Sequence, residues 1–268
     1  MKYVLKKLRM LRVFDLETGK LKVMMTDLKT GQFTGSQETV YAEGADGAKL
    51  AAFDVNKVAG FNATNGTIDL GYLAMQVGGE TVEVANGNEV TLHEVLKTAD
   101  GSTVTLKHKA TGETGNEIGY IYPIARDGMP DYAHAYAQGS VASDTEFAYD
   151  PGTKKITLPT GVFKANDEVS VHYCPTFATY TELTNDSNKF ASSGRVVVDA
   201  WFTDSCNNGD TPLQVVLPKG KISGEVDLSF GDQAAVQNIA VEAMSTVCDQ
   251  NQTLWKLYDY NENEIVDD

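Results

Sequence analysis

The chain has 268 residues, 42% of them hydrophobic, which is enough apolar content and length to bury a sizeable core in one large β domain or two smaller ones and excludes a disordered chain. Its formal net charge of −15 repels phosphate backbones, which argues against tight nucleic-acid binding and suits a surface past which a polyanion slides without sticking. Cys174, Cys206 and Cys248 form neither a CxxC pair nor a zinc-type spacing with histidine, so they read as free thiols of a protein made inside a cell.

In chain order, the first segment is basic. Residues 1–30 carry eight Lys/Arg against three Asp/Glu, a net of +5 that leaves −20 for the rest. Lys6, Lys7, Arg9 and Arg12 interrupt the unbroken apolar run that a signal peptide needs, and no small-residue cleavage site follows. Residues 2–12 are expected to form a flexible basic arm outside the core. Nowhere does the chain approach the roughly 18 apolar residues of a membrane span, so no membrane insertion is expected.

Residues 67–77 break the β pattern. Leu70, Leu73, Ala74 and Val77 fall at i, i+3, i+4 and i+7, one helical face. Thr67 is the expected N-cap, Asp69 suits the first turn, and Gly78–Gly79 is a stop signal. The chain otherwise reads as mainly β. Strands are expected at 81–84, 89–92, 103–107, 155–158, 168–173 and 195–202, with Asp100–Gly101 and Asp127–Gly128 among the turns. Residues 168–173 alternate polar and apolar as a half-buried antiparallel strand does, while 195–202 is richer in β-branched and aromatic residues and lies deeper. The texture changes over residues 86–175, where strands are short and loops irregular, so this region is read as a β-rich insertion or subdomain between 1–85 and 176–268. Three further extended segments close the chain, carrying Ile222, Val226, Leu228 and Phe230, then Ala235, Ile239, Val241 and Ala243, then Trp255 and Leu257. The open sheet edges are expected to belong to the sheet that contains 195–202 and 221–230, with Val226 on a strand that mediates assembly.

No constellation points to chemistry. His93, His108, His134 and His172 form no HxxxH or HxH pair and read as surface or hydrogen-bonded side chains. Asp259, Asn261 and Asn263 match the opening of a calcium loop, but Glu264 stands where the turn needs Gly. Asn62–Ala–Thr64 and Asn251–Gln–Thr253 match the glycosylation sequon, which means little without a secretory signal. Ser192–Ser193 and Ser205–Cys206 are nucleophiles by type only, with no elbow and no paired histidine. No catalytic, cofactor-binding or metal-binding residue is assigned, no cofactor is expected, and the chain is not read as an enzyme.

Three stretches carry a resemblance. Thr39–Val–Tyr–Ala–Glu–Gly–Ala–Asp–Gly–Ala–Lys–Leu–Ala leads to Asn56–Lys57 and the helix after Asn65–Gly66; Glu168–Val–Ser–Val–His–Tyr follows a strand–turn connection; and Lys221–Ile–Ser–Gly–Glu–Val–Asp–Leu–Ser–Phe joins Val241–Glu–Ala–Met, Cys248 and Leu254–Trp–Lys–Leu. Over about half its length the chain resembles a bacteriophage tail tube (major tail) protein of long-tailed phages. The resemblance implies a β-sandwich flanked by one helix, in a virion protein synthesised in the bacterial host cytoplasm. It also implies hexameric rings that join sheets into an inner barrel and stack into a tube. The tube would enclose a tape-measure protein, meet sheath and tail terminator proteins, and conduct DNA through an acidic lumen without specific binding. Minimal tube subunits are shorter, which makes the middle region an elaboration. The basic arm would then be drawn to the acidic surface of a neighbouring subunit. A second reading is a capsid decoration or glycan-binding virion module, with Tyr132 and Tyr136 as sugar-stacking rings.

Overall fold

The structure, a computed structural model, describes residues 3–204, 209–228, 236–245 and 251–260. The first strands are β1 (Tyr3–Phe14), β2 (Leu21–Met25), β3 (Leu28–Glu43) and β4 (Lys49–Asn65), followed by helix α1 (Leu70–Val77) and β5 (Thr81–Ala85). A run of short strands comes next: β6 (Leu92–Lys97), β7 (Thr103–Thr105), β8 (Tyr120–Pro123), β9 (Tyr136–Gly139), β10 (Glu146–Asp150), β11 (Lys155–Thr157) and β12 (Glu168–Tyr173). The last are β13 (Thr179–Leu183), β14 (Ser193–Asp204), β15 (Asp210–Ile222), β16 (Gln237–Ala243) and β17 (Lys256–Asp259). The fold is mainly β, with sandwich and near-barrel sheets and one short helix. Two compact units divide it, Met1–Val82 with Leu183–Asp268 and Glu83–Glu182. Strands β5 and β13 pair as a two-stranded ribbon.

The first unit is built on an eight-stranded sheet in the order β2-β1-β14-β15-β16-β4-β3, with β17 pairing to β15. Alternation places Leu11 and Val13 of β1, Val196 and Val198 of β14 and Ile239 and Val241 of β16 in one core, all nearly inaccessible to solvent. The sheet folds back on itself: Gly31 of β3 lies against Leu8 of β1, with no room for a Cβ between them.

Helix α1 closes this core. Its N-cap is Asp69, whose Oδ1 accepts from the Tyr72 amide at 2.8 Å, and not Thr67, which is held by the Asn65 side chain. The helix therefore begins at Leu70, three residues later than the sequence pattern suggested. It ends as expected at Gly78, whose φ of 71° only glycine adopts freely. The apolar stripe described only part of its burial: Tyr72 to Val77 are all buried, whereas Leu70 is exposed.

The second unit is a seven-stranded sheet, β6-β12-β8-β9-β10-β11-β7, over a separate core that includes Leu106, Ile118, Ile121, Phe147, Ile156, Val169 and Val171. Strand β12 buries Val169, Val171 and Tyr173 as its sequence dictates, but Ser170 of its other face is buried too. Strand β6 begins at Leu92, where the expected 89–92 strand was to end.

Two expectations need correction. The basic start is not an arm: β1 pairs with β14 from Tyr3↔Asp204 to Phe14↔Arg195, and the burial of Leu11 and Val13 makes it a core strand. Its cations misled: Arg12 stands between the buried Leu11 and Val13 and meets Asp199 of β14, and Lys6 meets Asp210 of β15. The segment after Ile222 is not a strand either. Strand β15 stops at Ile222, so Val226 lies in irregular chain and forms no sheet edge, while residues 229–235 fall outside the described residues. The open edges do lie in the sheet that contains 195–202, but they belong to β3 and β4, a long hairpin not expected from the sequence.

Candidate assembly surface

Strand β4 pairs with β16 only from Asn65 to Gly60. Beyond Gly60, among the described residues, it pairs only with β3, which is itself the last strand of the sheet order. The outer part of this hairpin is thus a two-stranded ribbon with backbone edges on both sides. Such a ribbon is marginal alone in water and is a template for further pairing.

Its two faces differ. Val40 stands opposite Phe53, and the flanking pairs Glu38↔Val55 and Ala42↔Ala51 share that face. Val40, Phe53 and Val55 are 47%, 57% and 39% exposed. The opposite face is held by polar pairs: Thr39 Oγ1 donates to Asp54 Oδ1 at 2.8 Å, and Lys49 Nζ sits 3.7 Å from the centre of the Tyr41 ring. The ribbon therefore presents one apolar and one polar face. At its base Phe33 meets Trp255 edge-on at 5.3 Å. A groove of about 480 Å³ runs alongside, lined by Thr34, Ser36, Val58, Lys221 and Glu242 among others.

Three of the four basic residues of β1 are engaged within the unit. Arg12 pairs with Asp199 of β14 at 2.5 Å, and Gln214 of β15 donates to the other carboxylate oxygen at 2.8 Å. Arg9 lies 5.3 Å over the Trp201 ring. Lys6 meets Asp210 at 2.6 Å and, with the Thr203 hydroxyl, holds that carboxyl below its usual range. Both partners of this last pair are exposed, so its stabilising effect is small. Val4 and Leu5 remain exposed toward the start of β1.

The residues singled out by chemical type are scattered. Ser192 spends its hydroxyl on the Met75 carbonyl at the end of α1. Cys174 lies 3.4 Å from the Thr91 hydroxyl, while Ser205, Cys206 and Cys248 lie outside the described residues. His134 pairs with Asp131 at 2.8 Å, and residues 261–264 of the calcium-like sequence are outside the description. Tyr132 and Tyr136 do not form one sugar platform: Tyr132 is 71% exposed against Tyr122, whereas Tyr136 packs toward Phe163 in the core. One buried polar pair was missed from the sequence. The Tyr173 hydroxyl donates to Glu94 at 2.5 Å, and burial first, then this bond, pushes its pKa up to about 12. The cross-strand pair of His93 and His172, both exposed, was missed as well, because only the β6–β12 register reveals it. Burial, then the neighbouring His93, holds His172 below its usual range.

The chain is thus mainly β and carries a long hairpin whose outer part is apolar on one face and open along both edges among the described residues. The chain belongs to the YomU/Tube protein family, whose pattern it matches over residues 4–256. That places it with phage-related tube proteins. No curated protein matches the chain.

Proposed function

We propose that this protein is a non-catalytic virion subunit that polymerises into the tube of a phage tail. The observation that carries the reading is the β3–β4 hairpin: its apolar face is exposed, both its edges are open among the described residues, and its polar face is already satisfied. Copies join by hairpin contact and sheet continuation into rings, six to a ring, which stack into a tube. The tube encloses a tape-measure protein, ends at a tail terminator, carries a sheath where the tail is contractile, and conducts DNA. The net charge of −15 supports a lumen along which DNA slides without binding. Family membership over nearly the whole chain supports the same reading. Negative-stain electron microscopy of concentrated purified protein tests it. Stacked rings or tubes are expected, and dispersed monomers at every concentration and salt would reject it.

A further inference from the structure

The second unit brings two histidines together on neighbouring strands. The antiparallel register of β6 and β12 sets His93 directly opposite His172. Their rings stack with centroids 4.5 Å apart and planes 18° apart. Both turn Nε2 toward one hydroxyl: Ser170 Oγ lies 2.9 Å from the nitrogen of His93 and 3.5 Å from that of His172. Ser170 is fully buried, so this pivot is fixed by the sheet, while both rings reach the surface. A serine has one hydrogen to donate and cannot satisfy two acceptor nitrogens at once. With both rings protonated at Nδ1, two Nε2 lone pairs are aimed into the same small space. Across that face stand Val95 and Tyr122, each opposite Ser170 on a flanking strand, which supply no competing ammonium or guanidinium there.

We propose that His93 and His172 form a two-imidazole binding site for a divalent transition ion of the copper, nickel or zinc type, held through both Nε2 atoms with water in its remaining positions. Imidazole nitrogen binds such ions at about 2.0–2.1 Å. Both nitrogens lie on the same side of the stack, and binding would swing the rings out of parallel and clear of the Ser170 hydroxyl until each lone pair points at the ion. Copper should bind most tightly, by the general order of affinities for nitrogen ligands. Calcium and magnesium should not bind, because the site lacks the oxygen set they need. Strand β6 is the edge strand of its sheet, so the ion would clip that edge to β12.

Isothermal titration of the full chain, without an affinity tag, against copper, nickel and zinc chlorides tests the site. A single saturable ion per chain is expected, with copper tightest. His93→Gln and His172→Gln should each weaken binding by about tenfold or more, since even supporting residues of metal sites have effects on that scale. His134→Gln should leave it unchanged. The copper-loaded parent should show two imidazole nitrogens in its electron paramagnetic resonance spectrum, a reading that stands even if a variant fails to fold. Added ion should also raise the melting temperature of the parent. Absence of saturable binding, unchanged affinity in either glutamine variant, equal loss in His134→Gln, or a spectrum without two nitrogens would each overturn the proposal.

Discussion

Tyr72→Phe probes how the helix is fixed to the sheet. Tyr72 is fully buried on α1, and its hydroxyl accepts from the Ala240 amide at 3.1 Å and faces the Ala240 carbonyl at 3.4 Å. That carbonyl has a second donor, the Ser223 amide at 2.9 Å, so losing the hydroxyl leaves mainly the Ala240 N–H without a partner. A buried donor left unsatisfied costs about 1–3 kcal/mol. At about 2–4 °C per kcal/mol for a unit of 150–250 residues, the melting temperature should fall by about 2–12 °C. The same burial pushes the phenol from 10.0 up to about 12. Because the folded value lies above the unfolded one, the linked stability is present below pH 10 and is lost as pH rises from 10 towards 12. Two units correspond to about 3 kcal/mol. Calorimetry across pH 7–11, with amide exchange at Ala240, is the assay. Tyr72→Phe should melt lower at pH 7, lose less stability above pH 10 than the parent, and exchange Ala240 faster. Unchanged melting together with a protected Ala240 amide would refute the reasoning.

Leu11→Ala should cost about 2–5 kcal/mol, as buried leucines do, because Leu11 is fully buried on β1; deletion of residues 1–12 should accordingly unfold the first unit by circular dichroism rather than leave it intact. Gly78→Ala should destabilise by more than about 1 kcal/mol, since φ is 71° and an added Cβ collides with the Phe190 backbone, and chemical denaturation reads the loss. Tyr173→Phe removes the hydroxyl that Glu94 accepts from inside the second unit, and urea titration should show a loss of about 1–3 kcal/mol.

Where a strand's apolar alternation marks its core face, the sequence was enough to place it: Glu168–Tyr173 was predicted and observed with the same bounds, although Ser170 of the other face is buried as well. The stop of α1 was also legible, because Gly78 alone suits the left-handed turn. The start was not, since Thr67 and Asp69 are both good caps and the choice depends on Asn65 capturing Thr67 and on Gln237 reaching the Asp69 backbone from β16. Strand β1 hid because its charged alternate positions, Arg12 above all, answer to Asp199 far along the chain. The hairpin hid for the opposite reason. Val40, Phe53 and Val55 form an exposed stripe, so their pattern carries no core signal. The His93–His172 pair likewise depends on register, which spacing along the chain does not encode.

The central claim, assembly through the β3–β4 ribbon, is tested most directly by comparing the parent with Phe53→Asp in sedimentation velocity, followed by electron microscopy of both. Phe53 is 57% exposed and touches no core cluster, so the variant should melt with the parent. It should nevertheless remain a monomer at concentrations where the parent forms fast-sedimenting rings or tubes, because a carboxylate would have to be buried in the contact. Tubes of normal length from Phe53→Asp would contradict the account.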